Sequence, residues 1–305
     1  MLPFQGSALD HYANPPNSYC YSIDTYSSNA KLCIGTYVSY PWYNSCMKYT
    51  LITGPTSGIG YHFAHEAARV GMALVLVGRD ELKLTAIADE FRGTYDVDVQ
   101  EIVTDLSHAS AAQYVFDEVE KRGISVSYLI NNAGVGDFAY VRDADEHKLA
   151  SMMTLNMVTL TLLTKLFLPQ VILNTGKILH VASTAAFEPG PTMAVYYATK
   201  SYVLSFSEAL REELKKTGVT VTTLCPGPTA SEFQKTADMG TSPLVQGKKL
   251  PTAEEVAHYG WRSMMQGKGV VVHGFANRIF TRIIPFVPRI VVTAAVHKMQ
   301  GNPRK

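Results

Sequence analysis

The stretch AVYYATKSYVLSF carries two adjacent tyrosines, Tyr196 and Tyr197, just upstream of Lys200. A tyrosine can exchange a proton with a substrate oxygen, but its unperturbed pKa of about 10 is too high for efficient work near neutrality. A cation one helical turn away stabilises the phenolate, and each unit of lowering corresponds to about 1.4 kcal/mol. Tyr196 and Lys200 stand at i and i+4, Tyr197 and Lys200 at i and i+3, so both tyrosines share a helix face with the lysine. Helix geometry alone does not choose between them, and two tyrosines on a half-buried helix are more often packing.

A second chemical signal is TGPTSGIG at 53–60, which sets Gly54, Gly58 and Gly60 between a strand and a helix. Glycines there let the backbone turn sharply and approach a pyrophosphate, whose charge rests on the N–H groups of the helix N-terminus. The spacing is GxxxGxG rather than GxGxxG, and a bare strand-to-helix turn looks similar. Its place after the first strand favours a dinucleotide. About 20 residues beyond such glycines an NAD site usually offers a carboxylate to the ribose 2′-OH. This chain has Gly78 and then Arg79. A carboxylate would repel a 2′-phosphate, whereas an arginine forks onto it, so NADPH/NADP+ is expected in preference to NAD. The plainer reading of Arg79 is a solvated residue beside a helix N-cap, Asp80.

These side chains need a frame. KYTLIT, ALVLV, VQEIVT, VSYLI, KILHVA, VTVTTLC and GVVVHG read as strands, and helical segments of ten or more residues separate them. The longest helix runs from about Asp145 to Leu173, and the Tyr196 helix follows from AVYYATK. Strands this apolar, alternating with helices, imply right-handed βαβ units and a parallel sheet buried on both faces. The expected fold is a single α/β domain, a doubly wound, Rossmann-like parallel sheet of about seven strands, over 47–274. A loop at about 228–251 is expected to close over the substrate. Residues 1–46 are rich in Tyr, Ser, Asn and Pro with few charges, and are expected to be an irregular, poorly ordered extension. Residues 275–305 form an apolar and basic tail, read as a lid or an interface, with membrane-surface contact as the lesser alternative.

The 305 residues suffice for a sizeable core, and a net charge of +1 gives no electrostatic case for nucleic acid. Three of the four cysteines (Cys20, Cys33, Cys46) lie in the N-terminal segment, leaving Cys225 alone in the body. That suits a reducing, cytoplasmic setting and no disulfide framework. LNMVTLTLLTKLFLPQVIL, 155–173, has about the length of a membrane span, but Lys165, Pro169 and the soluble-looking helix start favour a buried core or interface helix. HFAHEAAR invites a zinc reading through His62, His65 and Glu66, yet Arg69 stands where HExxH needs its second histidine. No metal is expected.

TGPTSGIG at 53–60, NNAG at 131–134, YxxxK at 196–200 and PG at 226–227 occur in this fixed order. Together they resemble the short-chain dehydrogenase/reductase family in its single-domain branch, over about Met47 to Gly274. The resemblance implies a tyrosine that exchanges a proton with the substrate oxygen while the nicotinamide exchanges a hydride, and a lysine that also holds the nicotinamide ribose. It assigns Tyr196 to that role, because Ser183 lies thirteen residues before it, at the end of the fifth strand. Ser183 is similar to the family's serine that bonds the substrate oxygen. Thr184 is its local rival, but the run STA aligns with Ser183. Asn156, in TLNMV, matches the asparagine that orders a water in the proton relay. Tyr197 is left to packing.

The implied cofactor shell comprises Gly54, Ser57, Gly58, Ile59 and Gly60 of the glycine turn, Arg79, then Asp105 at the adenine amine with Leu106 beside it. It continues through Asn132, Ala133 and Gly134 to Tyr196 and Lys200. Pro226, Gly227, Thr229 and Ser231 complete it, with Thr229 and Ser231 at the carboxamide. Asn131 is implied to brace the sheet near the adenosine. Ser231 departs from the usual threonine but keeps the hydroxyl, and Pro55 removes one donor from the glycine loop. The reading is an NADP(H)-dependent oxidoreductase interconverting a ketone or aldehyde and an alcohol, on a hydrophobic substrate such as a lipid-like, 3-oxoacyl or sterol-like molecule. The alternative is a non-catalytic NADP(H)-binding sensor on the same fold. Family members pair through their long helices, which implies a homodimer or homotetramer.

Overall fold

The computed structural model describes residues 47–247 and 249–303. The irregular extension expected at 1–46 lies outside the described residues. Strand β1 (Lys48–Thr53) is buried at every position after the first, as a strand must be when helices cover both of its faces. It pairs in parallel with β2 (Ala73–Gly78) on one side and β4 (Ser125–Asn131) on the other. With β3 (Val99–Val103), β5 (Lys177–Val181), β6 (Thr220–Cys225) and β7 (Val270–Val272) it forms a seven-stranded sheet, ordered β3-β2-β1-β4-β5-β6-β7. Every pairing is parallel. The winding reverses between β1 and β4, and ligands of such sheets bind at the strand carboxyl ends beside that reversal.

Two helical layers sandwich the sheet. On one face lie α1 (Gly58–Arg69), α2 (Glu81–Tyr95) and α8 (Ala253–Met265), whose Phe63, Phe91 and Trp261 pack on Ile52, Leu74 and Leu224. On the other lie α3 (Ala111–Lys121), the long helix and α6 (Ala194–Glu213), with Val115, Phe167 and Leu210 against Leu51, Leu129 and Val221. Each fully buried large side chain stabilises by about 1.5–3 kcal/mol relative to exposure. The helix starts follow their sequences. Asp80 accepts from Lys83 N–H at 3.1 Å to cap α2, and Thr252 with Glu255 forms a reciprocal capping box on α8.

The long helix begins at its N-cap Asp145, as expected, but it is not uniform. It runs as α4 (Glu146–Met153), widens into a π turn over Thr154–Thr159, and continues as α5 (Leu160–Leu173). By length and composition alone Glu146–Leu173 could cross a membrane. In this fold its inner face, through Leu163, Phe167 and Val171, belongs to the core. The loop expected to close over the substrate contains a short helix, α7 (Phe233–Thr236). The tail folds as α9 (Phe275–Ile283) and α10 (Arg289–Gln300), with Pro285 and Pro288 in the break between them.

Candidate active site

At the carboxyl end of β1 the chain turns through Gly54, at φ +67°. A Cβ at Gly60 would stand 2.0 Å from the Gly54 carbonyl oxygen, so α1 begins closer to the strand end than any side chain would permit. The turn is tied across the reversal point. Asn132 Nδ2 donates to the Thr53 and Gly54 carbonyls at 3.0 and 3.1 Å, and Thr53 Oγ1 accepts from the N–H groups of Asn132 and Ala133. Ser57, the N-cap of α1, makes no side-chain cap, which leaves the first N–H groups of the helix facing the crevice without an internal acceptor. A glycine cradle and an uncapped helix start fit the pyrophosphate of a dinucleotide.

Arg79 follows β2, is exposed, and makes no ion pair among the described residues. The Asp80 carboxylate is engaged at the α2 cap and lies 3.7 Å from Lys83 Nζ. Asp105 accepts from Ser107 N–H at 2.9 Å. Partial burial pushes Asp105 up, but the Ser107 bonds and the Arg79 and His108 charges together hold it below the ordinary carboxylate value. Leu106 buries its side chain in the core, and its carbonyl accepts from Thr159 Oγ1 at 2.8 Å.

Ser183, Tyr196, Lys200 and Asn156 converge near the carboxyl ends of β4, β5 and β6. Ser183, just past β5, accepts from Ala185 N–H at 3.1 Å and donates to the Pro226 carbonyl at 3.4 Å. Its hydroxyl also bonds the Tyr196 phenol. Burial pushes that phenol up to about 12, with the Ser183 bond acting in the opposite direction. Lys200 Nζ donates to the Val181 carbonyl at 2.8 Å and lies 5.8 Å from the Tyr196 ring centroid. Burial brings the Lys200 ammonium down to about 8, against a smaller opposing influence from Cys225. In this geometry the lysine is bonded to the strand end, and the phenol keeps its proton throughout the neutral range.

Asn156 sits inside the π turn. Its Oδ1 accepts from Val135 N–H at 3.0 Å, and its Nδ2 donates to the Val135 carbonyl at 2.9 Å and to Thr199 Oγ1 at 3.0 Å. A polar side chain buried in so apolar a helix is costly unless bonded, and both ends of the Asn156 amide have partners; a π turn in mid-helix is a frequent companion of a functional residue. Gly134 joins this group to the nucleotide end, since a Cβ there would lie 3.2 Å from Asn156 Oδ1 and 3.3 Å from Lys200 Nζ.

Tyr197 faces elsewhere. Gln300 Nε2, at the end of α10, donates to its hydroxyl, and Gln300 Oε1 accepts from Thr192 Oγ1 at 2.7 Å. The ring presses on Gly190, where a Cβ would come within 2.3 Å of it. Burial, with the Glu188 carboxyl nearby, pushes the Tyr197 phenol above its ordinary value. It is a strut between α6 and the chain end.

Asn131 turns its amide to Thr164 on α5 at 3.0 Å, in a buried chain that continues through His180 to Ser207, while its Oδ1 is buried without a partner. Ser231 lies over Gly58 of the glycine turn, and the Thr229 and Ser231 hydroxyls both turn to carbonyls of their own loop. Pro226 accepts from Thr184 N–H, and Gly227 lies against Asn277 of α9. Glu66 is held by Arg69 and His258 at 2.8 and 2.9 Å, and no cluster suited to a metal occurs among the described residues.

Sequence reasoning missed Thr199 and Phe233. Thr199 bonds both Asn156 and the Tyr196 carbonyl, and its position three residues after Tyr196 was the available signal. Phe233 lies 5.3 Å, ring to ring, from Tyr196 and roofs it. An aromatic inside a Gly- and Ser-rich loop hints at such a role but does not aim it.

The fold is that of a dinucleotide-type α/β protein, with Ser183, Tyr196 and Lys200 gathered at the strand carboxyl ends beside its reversal point. Residues 48–241 match the short chain dehydrogenase family, and the chain belongs to it. It is 30% identical over 203 residues to the very-long-chain 3-oxoacyl-CoA reductase of Bos taurus, covering 64% of this chain and 62% of that protein. The Homo sapiens protein of the same name is 30% identical over 196 residues, covering 62% of this chain and 61% of its own length. The chain thus spans a little over three-fifths of these relatives. Among solved structures, a short-chain dehydrogenase from Sphingobium yanoikuyae in complex with NADPH superposes with TM-score 0.70 at 29% identity, covering 77% of this chain and 92% of that one. A 7beta-hydroxysteroid dehydrogenase gives TM-score 0.73 at 26% identity, covering 82% and 96%.

Proposed function

We propose that this protein is an NADP(H)-dependent oxidoreductase that interconverts a carbonyl and an alcohol on a hydrophobic substrate, with long-chain 3-oxoacyl thioesters as the leading class. The observation that carries it is the convergence of Ser183, Tyr196, Lys200 and Asn156 beside a glycine cradle that Asn132 and Gly134 connect to them. A bound nicotinamide dinucleotide would supply or accept the hydride at the substrate carbon. Ser183 donates to the substrate oxygen and orients it, and Tyr196 Oη gives that oxygen its proton in the reducing direction. Burial pushes the Tyr196 phenol up to about 12, so the work of bringing it toward neutrality falls to the Ser183 hydroxyl and the Lys200 charge beside it. Lys200 binds the nicotinamide ribose and replenishes positive charge beside the phenol, while Asn156 fixes the Val135 backbone and Thr199 around it. Gly54, Gly58 and Gly60 bring the backbone to the pyrophosphate, Asp105 meets the adenine amine, and Arg79 meets the 2′-phosphate.

The apolar lining supports the substrate class. Phe138, Met152, Met193 and Met239 share one cluster with Tyr196, and Phe233 packs on it. The relatives named for 3-oxoacyl-CoA and hydroxysteroid substrates point the same way. Exposed Val158 and Leu162 on the long helix and Tyr202 on α6 support pairing of two copies through those helices.

Absorbance at the NADPH band, followed with 3-oxoacyl-CoA and ketosteroid panels and repeated with NADH, tests the proposal. Turnover of a long-chain 3-oxoacyl thioester with NADPH is the expected result. Tight NADPH binding with no turnover across both panels would establish the sensor reading instead. Arg79→Ala should weaken NADPH roughly tenfold or more and leave NADH affinity nearly unchanged, because a charged hydrogen bond contributes about 1.5–3 kcal/mol.

A further inference from the structure

The last two helices leave a large apolar stripe uncovered. On α9, Phe275, Ile279 and Ile283 recur at i, i+4 and i+8, and Phe275 is 73% exposed. The stripe continues through Phe286, 87% exposed, and Ile290, 80% exposed, at the start of α10. Thr281, Ile284, Val292, Val296 and Gln300 are the residues these elements bury, so the exposed set is a separate face and not a badly packed core. Exposed aromatic and branched side chains in one contiguous run are the mark of an interaction surface.

Charge decides what the surface meets. From residue 256 to the end the chain has eight lysines and arginines and neither aspartate nor glutamate, in a protein whose net charge is only +1. Arg278 and Arg282 are exposed on α9 next to the stripe, and Arg289 and Lys298 are exposed on α10. A second copy presented through this face would set these cations against their own equivalents. A layer with an apolar interior and an anionic boundary takes both features at once. Phenylalanine and isoleucine enter the acyl boundary, while guanidinium groups stay at the headgroups on their flexible stems.

We infer that α9 and α10 form a docking face for the surface of an anionic lipid bilayer. The face adjoins the catalytic crevice. Asn277 of α9 rests on Gly227, α9 packs against the Thr184–Phe187 turn, and Ile284, Val292 and Val296 belong to the same apolar cluster as Tyr196. A docked molecule therefore holds the rim of its apolar crevice at the membrane boundary, where a long-chain substrate resides. That consequence rests on the catalytic reading proposed above; the docking itself does not.

Flotation of the full-length protein with phosphatidylcholine vesicles, with and without phosphatidylserine, tests the inference without reference to turnover. The wild-type chain should float with the serine-containing vesicles and be released by high salt. Arg278→Glu with Arg282→Glu should lower that partition roughly tenfold or more, since each basic residue near an anionic surface contributes about fivefold. Phe275→Ser with Phe286→Ser should lower it by a similar factor even at low salt. Circular dichroism and NADPH affinity should be unchanged in both variants, because neither pair touches the crevice. Equal recovery with and without phosphatidylserine, or flotation of the variants at the wild-type level, would overturn the inference. So would a wild-type dimer that the Phe275 and Phe286 changes convert to monomer while vesicle recovery stays at background.

Discussion

Around the turn between β1 and α1 the stabilising contacts are short in reach and mostly backbone. Gly54 N–H donates to the Val77 carbonyl, Asn132 holds two carbonyls of the turn, and the Gly60 position has no room for a methyl. Across the crevice the substrate side is assembled by side chains distant in sequence. Gln300 reaches Tyr197 and Thr192, Ser242 Oγ donates to the Gln300 carbonyl at 2.8 Å, and Phe233 folds over Tyr196. Buried polar atoms without hydrogen-bond partners occur on both sides, Asn131 Oδ1 on the first and Glu188 Oε2 and His297 Nε2 on the second. The nucleotide side thus behaves as a rigid mould for one constant ligand. On the proposed reading the substrate side is the adjustable wall, where side chains can change without disturbing the mould.

Adjacent Tyr196 and Tyr197 give the sharpest test of this contrast. Tyr196→Phe should reduce turnover roughly a thousandfold, within the range expected for loss of a general acid, and leave NADPH affinity nearly unchanged. Tyr197→Phe should leave turnover within a few-fold. It should cost about 1–3 kcal/mol of stability in denaturant unfolding, because Gln300 Nε2 loses its acceptor while remaining buried. If Tyr197→Phe abolished turnover, the assignment of the two tyrosines to opposite sides of the wall would be broken.

Equivalent glycine-to-alanine changes probe mould against wall. At Gly60 the added methyl meets backbone at 2.0 Å, which cannot retreat without moving β1 or α1, so Gly60→Ala should cost about 3 kcal/mol or more and weaken NADPH. At Gly136 the methyl meets the Phe233 ring edge at 2.7 Å, and a side chain on a short surface helix can swing. Gly136→Ala should cost about 1 kcal/mol or less and appear instead as a changed KM for long-chain substrates. Equal stability losses, read from the midpoints of paired denaturant curves, would erase the distinction.

The same division explains what was legible in the sequence. Alternating apolar strands and helices announce the sheet, and the glycine turn can be read because steric demand at Gly54 and Gly60 is local to a few residues. Ser183, Tyr196 and Lys200 can be read because one strand end and one helical turn carry them. The π turn around Asn156 leaves no periodic signature, since a single widened turn shifts the pattern by one residue. The Gln300–Tyr197 strut joins positions separated by more than a hundred residues, and nothing local in either stretch names the other. Lys200 could be placed but its partner could not, because the Val181 carbonyl is backbone and any residue would supply it.

The smallest expected effect concerns Glu188, buried on the adjustable side with one carboxylate oxygen unpartnered. Burial raises it from 4.5 to about 7 in the folded protein. Between those values the folded state binds more protons than the unfolded one, so stability is full below about 4.5 and declines as pH rises through about 7. Glu188→Gln removes that decline. His180, brought down to about 3 by burial, works in the opposite sense, losing stability as pH falls below 6.5. It is present in both proteins, so it cancels when the variant's unfolding free energy is compared with the wild type's at each pH. The difference should be near zero at pH 4 and grow to about 1–3 kcal/mol in the variant's favour by pH 8. A flat difference would mean that Glu188 finds a partner in solution, and that its burial on the substrate wall costs nothing.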